Sequence, residues 1–142
     1  TVKMGCFSFC NVVRLDWNYI TSIESNCFEW CDNLEYVDLD RTVTIGNNVL
    51  NYCKSLRSIS LPLASSIGSN ILCQNESLES IELACEDLKE INTLGNDCAA
   101  LREIRIPSGV ISVGYRAFYS CRALADLTLP HGLVTIDILV LQ

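Results

Sequence analysis

Four cysteines near the start of the sequence stand at spacings that suit a metal. Cys6, Cys10, Cys27 and Cys31 form Cys-x3-Cys twice, within the usual ligand spacing of structural zinc. Five more cysteines bring the total to nine, an odd number. Such a set has three chemical readings: disulfides, a bound metal, or reduced thiols packed in a core. Other reactive chemistry is scarce. His131 is the single histidine, directly after Pro130, and no nucleophile or carboxylate cluster accompanies it to make a triad. There is no glycine-rich phosphate loop, so no enzymatic activity and no cofactor are expected. The stretch "NES" at Asn75 matches an N-glycosylation acceptor by pattern.

Composition narrows the setting. The chain has 142 residues, enough for one domain, and is 49% hydrophobic with 3 prolines and 7 glycines, which argues against disorder. Its apolar runs are far shorter than the ~20 residues of a membrane helix. No basic and apolar leader segment opens it. The net charge of −7, without a lysine or arginine run, disfavours nucleic acid and anionic lipid as main partners. A basic protein surface or a cation is the better match.

What positions these residues is a repeat. Leu34, Leu56, Leu78, Leu101 and Leu124 each open a unit, at spacings of 22, 22, 23 and 23, with Val12 as an earlier opener. Three residues after each opener comes an apolar residue, and another follows two later: Leu15/Trp17, Val37/Leu39, Ile59/Leu61, Ile81/Leu83, Ile104/Ile106 and Leu127/Leu129. A spacing of two marks a strand with one face buried. All three prolines, Pro62, Pro107 and Pro130, directly follow such a pair, where a residue without an N–H ends the strand. A second apolar pair comes later: Ile20/Ile23, Val43/Ile45, Val110/Val113 and Leu133/Ile136. Gly46, Gly68 and Gly114 follow, at expected positive-φ turns. Then "CFEWC", "VLNYC" and "AFYSC" place an apolar pair and a cysteine on what reads as a short helical or 3₁₀ turn. "CFSFC" at 6–10 is the same slot. The unit over 78–100 is the least regular.

A unit this short cannot bury its apolar residues alone, so neighbours must stack as rungs of a solenoid. Six rungs at about 4.8 Å each give a parallel sheet roughly 29 Å wide.

"LREIRIPSGVISVGYRAFYSC" at 101–121 resembles the BspA-like leucine-rich-repeat unit, with leucine, proline, glycine, Ala-Phe and cysteine in register. The resemblance spans nearly the whole chain. It implies an α/β repeat: a right-handed leucine-rich-repeat solenoid of about six rungs, with short helical or 3₁₀ turns opposite the sheet. It further implies a cell-surface or secreted protein that adheres to host or extracellular-matrix proteins, and it supplies no catalytic residues. Asn75 takes the cysteine slot of its unit, and the 78–100 unit lacks the Ala-Phe pair.

The repeat bears on the cysteines. Cys10, Cys31, Cys53, Cys98 and Cys121 share one slot, which fits a buried ladder of reduced thiols. Adjacent rungs are close enough for disulfides, but parallel side chains make the torsion hard to reach. Cys27 falls where Ala117 falls in another unit, so the repeat itself explains the zinc-like spacing. In this ladder serine at Cys53 is expected to cost more than alanine, for want of a hydroxyl partner.

The outward face of the sheet is the remaining candidate for binding. It pairs Arg14/Asp16, Tyr36/Asp38, Ser58/Ser60, Ser80/Glu82, Glu103/Arg105 and Asp126/Thr128. From these, Arg14, Asp16, Tyr36, Asp38, Glu82, Glu103, Arg105 and Asp126 are the binding candidates, centred on Tyr36 with Asp16 and Asp38. Two alternatives stand beside a protein-binding or adhesion module: a structural spacer within a longer array, of which residues 1–142 are a segment, and a small zinc-binding domain on the N-terminal cysteines. The apolar tail, Ile136 and Ile138 to Leu141, is expected to self-associate through its edge.

Overall fold

The computed structural model describes residues 1–137 and 139–141. Each unit except the last contributes a front strand and a two-residue side strand; the last contributes a side strand alone. In chain order they are β1 (Arg14–Asp16), β2 (Ser22–Ile23), β3 (Tyr36–Asp38), β4 (Thr44–Ile45), β5 (Ser58–Leu61), β6 (Ser66–Ile67), β7 (Ser80–Leu83), β8 (Glu90–Ile91), β9 (Glu103–Arg105), β10 (Ser112–Val113) and β11 (Thr135–Ile136). All pairings are parallel: β1 with β3 and β5–β7–β9 in front, β2–β4–β6 and β8–β10–β11 at the side. The product is a parallel β-solenoid of about six turns.

The register follows the sequence pattern. Leu15 pairs with Val37, and Ile59, Ile81 and Ile104 share one row; all five are buried. The opening leucines Leu34, Leu56, Leu78 and Leu101 are fully enclosed, each contributing about 1.5–3 kcal/mol by removal from water. The second side-chain row differs at two places, the last rung, where Ile136 is exposed, and the Val43/Ile45 pair. Val43 is exposed and Thr42 fills the core slot; its hydroxyl donates to the Ile20 carbonyl of the preceding rung at 3.1 Å. A hydrogen-bonded hydroxyl is tolerated where only an aliphatic residue was expected.

Two expected details are corrected. The segment opposite the front sheet contains no helix among the described residues. Instead alternate residues there take positive φ, as Asn26, Phe28 and Trp30 do at about 60°. Alternating signs of φ cannot build a helix, and the amides point to neighbouring rungs: Asn26 donates to Asn47, Phe28 to Cys6 and Trp30 to Asn51. An asparagine ladder supports this turn, with Asn70 Nδ2 donating to Asn48 Oδ1 at 3.3 Å and Asn48 Nδ2 to Asn26 Oδ1 at 2.9 Å. Gly46, Gly68 and Gly114, second, do not have positive φ; Gly5 is the glycine that does. What Gly46 and Gly68 supply is close approach of successive rungs.

At the last rung, residues 124–130 form no strand, so the sixth front position is irregular. Val140 is buried and its carbonyl accepts from the Phe118 amide at 3.0 Å, while Val134, Ile136 and Leu141 are exposed. Ile138 lies outside the described residues.

Candidate protein-binding face

The front strands carry seven of the eight candidate residues, four on the β1–β3 pair and three on β5–β7–β9, with β3 packed beside β5. In register, Arg14 stands beside Tyr36 and Asp16 beside Asp38; Ser58, Ser80 and Glu103 form one row, and Ser60, Glu82 and Arg105 another. Asp126 is exposed but lies outside the sheet, because its rung forms no front strand.

Within the face, charges are partly spoken for. The Arg14 guanidinium grips Asp16 through Nε, at 3.0 and 2.9 Å to its two oxygens, and through a terminal nitrogen at 2.8 Å. It also lies 4.0 Å from the centre of the Tyr36 ring, a favourable cation–π arrangement. Asp16 is consequently held below the usual carboxylate range, chiefly by its hydrogen bond to Arg14. Asp38 accepts from the Asp40 amide at 3.1 Å. At the other end Arg105 approaches Glu82 at 3.6 Å. There Ser80, Glu82, Glu103 and Arg105 line a shallow depression of about 250 Å³. The sequence indicated acidic side chains here but not that Arg14 covers the Tyr36 ring.

The cysteines are free thiols, with Cys6, Cys10 and Cys85 half-buried and the others buried. The thiols of Cys27, Cys31, Cys53, Cys98 and Cys121 donate to carbonyls of the preceding rung (Lys3, Phe7, Phe28, Leu72 and Gly95) at 3.0–3.1 Å. No group of three or more metal-ligating side chains forms among the described residues; Cys27 and Cys31 are engaged with the backbone instead. The expectation for Cys53 therefore reverses. A serine there keeps a donor for the Phe28 carbonyl, so Cys53→Ser should cost no more than Cys53→Ala in urea unfolding. A larger loss for serine would contradict the thiol–carbonyl bond.

Burial raises Cys27, Cys73, Cys98 and Cys121 above their ordinary range, Cys73 to about 12 and Cys121 to about 11. Cys31 is instead lowered, to about 7, chiefly by its hydrogen bond with Cys53, which is raised in turn. A group with a raised folded pKa contributes full stability below its unfolded pKa and loses it as pH climbs to the folded one. Above about pH 8.5, the free thiol value, stability should thus decline toward pH 11–12 as Cys73 and Cys121 lose their contribution. Urea midpoints across this range check it; a midpoint rising with pH would contradict it.

Asn75 occupies the cysteine slot fully buried, accepting from the Cys53 amide at 2.6 Å and donating to the Leu50 carbonyl at 3.0 Å. Both ends of its amide are engaged, so the "NES" acceptor is enclosed in the folded chain. The sequence reading missed an aromatic ladder on the turn side. Trp30 stacks on Tyr52 with ring centres 3.8 Å apart and lies parallel to Phe9 at 6.2 Å. "CFEWC" and "VLNYC" supply the expected core pairs, Cys27/Phe28 and Val49/Leu50, and bury Cys31 and Cys53 as well, whereas Trp30 is 40% exposed. The position before the slot cysteine is the one that turns toward the surface, at Trp30 and Tyr52, a signal that apolar character alone does not carry.

Comparison with known proteins agrees with this architecture. The family model for the BspA type leucine rich repeat region matches in six copies, over residues 1–95 and 92–139. No curated protein matches the chain. Among solved structures, a leucine-rich-repeat protein of T. pallidum is similar at 26% identity and TM-score 0.69, over 77% of this chain and 52% of that one. A leucine-rich-repeat protein of Bacteroides ovatus shares the fold at 19% identity and TM-score 0.51, over 94% of this chain and 47% of its own. One of Eubacterium ventriosum does so at 20% and 0.50, over 74% and 35%. The chain thus spans about half or less of the length of each neighbour. Six matched repeats, the parallel rungs and the shared fold establish that the chain belongs to the BspA-type leucine-rich-repeat family.

Proposed function

We propose that this chain is a non-enzymatic protein-binding module, acting in adhesion at a cell surface or as a secreted protein, and that it binds through the front sheet. The observation that supports this most is the front face itself. Its strands, paired as β1–β3 and β5–β7–β9 with β3 packed beside β5, carry Arg14, Asp16, Tyr36, Asp38, Glu82, Glu103 and Arg105 outward, and repeat proteins commonly engage partners through such extended faces. Tyr36 offers contact area with a polar tip, and the surrounding carboxylates favour a basic partner. Host-surface and extracellular-matrix proteins are the partners this reading names. No helix among the described residues is long and apolar enough to cross a membrane.

Binding of the chain to a panel of matrix and host-surface proteins tests the proposal. At least one should bind, more weakly as salt rises, because exposed charges are screened over about 8–10 Å at physiological ionic strength. Tyr36→Ala with Asp38→Ala, or Ser58→Trp to obstruct the sheet, should weaken it by about tenfold or more; Gln74→Arg on the turn side should not. A partner indifferent to the front substitutions but lost with Gln74→Arg would overturn the reading.

A further inference from the structure

Resting on the reading of the front face as a binding surface, we infer that its partner is a basic helix that bridges two acidic ends across a serine floor. The internal ion pairs define those ends. At β1 and β3 one guanidinium, Arg14, faces two carboxylates, Asp16 and Asp38. At β7 and β9 one guanidinium, Arg105, stands among Glu82 and Glu103. Each end keeps one surplus negative charge. Between them the outward residues are Ser58, Ser60 and Ser80, uncharged and short, so the middle of the face lies low. Tyr36 rises on one side of it and Glu103 with Arg105 on the other.

Geometry sets the size of what fits. From β3 to β9 is three rung spacings, about 14 Å, with β3 packed beside β5 but not paired to it. The backbone groups of β5, β7 and β9 already pair with one another, so an extended peptide laid across them would gain no ladder bonds. A helix satisfies its own backbone and lies on such a floor without that loss. Two basic residues about eleven positions apart are ~16 Å apart at 1.5 Å per residue and return to the same helix face. That spacing reaches both surplus charges, and small residues between them suit the serine floor.

The test uses the full chain and three stapled helical peptides of matched length. One carries arginines at i and i+11, a second carries the same two at i and i+4, and a third carries glutamine in their place. Fluorescence anisotropy at low salt should show the spaced peptide binding about tenfold more tightly than the clustered one, the scale of one good charge contact. Asp38→Asn and Glu103→Gln should each remove that advantage, and Ser58→Trp should abolish binding. Equal binding of the spaced and clustered peptides, or no binding of either, would overturn the bridging inference. Front-face binding itself would still stand if a panel protein were displaced by Ser58→Trp. Spaced-peptide binding that survives Ser58→Trp would count against both.

Discussion

Asn75→Ala should lower the unfolding free energy by about 2–6 kcal/mol, because it strands two buried backbone groups, each costing about 1–3 kcal/mol when unpaired. The Cys53 amide loses its acceptor and the Leu50 carbonyl its donor, at a residue with no exposed surface. Asn75→Cys should recover part of the loss, since cysteines in the same slot donate to the preceding rung, as Cys98 does to Leu72. It cannot serve the Cys53 amide equally well, so recovery stays incomplete. Urea unfolding of both variants measures the effect. Wild-type stability in the alanine variant would contradict the paired amide.

Gly68→Ala is the second large effect. A methyl group there would sit 2.5 Å from the Gly46 carbonyl carbon and 2.6 Å from its oxygen. These are backbone atoms of the adjacent rung, held by the Gly68 amide bond to Ile45 at 2.8 Å, so they cannot swing aside as a side chain would. Relief requires the rungs to part, and overpacking of this kind costs about 1–3 kcal/mol, occasionally more. Gly95→Ala is the matched control. Its methyl would meet only ordinary contacts at 3.5 and 3.6 Å, so it should change stability far less. Equal effects of the two substitutions in thermal unfolding would show that close rung stacking is not what Gly68 provides.

The fold was legible because a solenoid repeats its physical demand in every unit. Leu34, Leu56, Leu78 and Leu101 recur because each must fill the same enclosed slot, and the period-two pairs recur because each strand buries one face. Asn75 was legible as a slot residue for the same reason. The turn side was not, because local propensity and apolar count suggest a helix there, whereas the inter-rung amide bonds of Asn26, Phe28 and Trp30 decide the backbone. Helical turns and alternating φ both bring an apolar residue inward, and the sequence does not separate them. The front face was legible as a list of outward residues. Which charges cancel depends on rotamers, and the stacking of Arg14 over Tyr36 with its grip on Asp16 came only from the structure. Asp126 was misplaced because its unit keeps the apolar pattern of a strand, Leu127 and Leu129, without forming one.

Amide hydrogen exchange on the chain, free and bound to a protein from the panel, tests the central claim most directly. The front face is predicted to gain protection over 14–16, 36–38, 58–61, 80–83 and 103–105, with the turn residues Phe9, Trp30 and Tyr52 unchanged. Protection confined to the turn side, with the front strands unaffected, would contradict it.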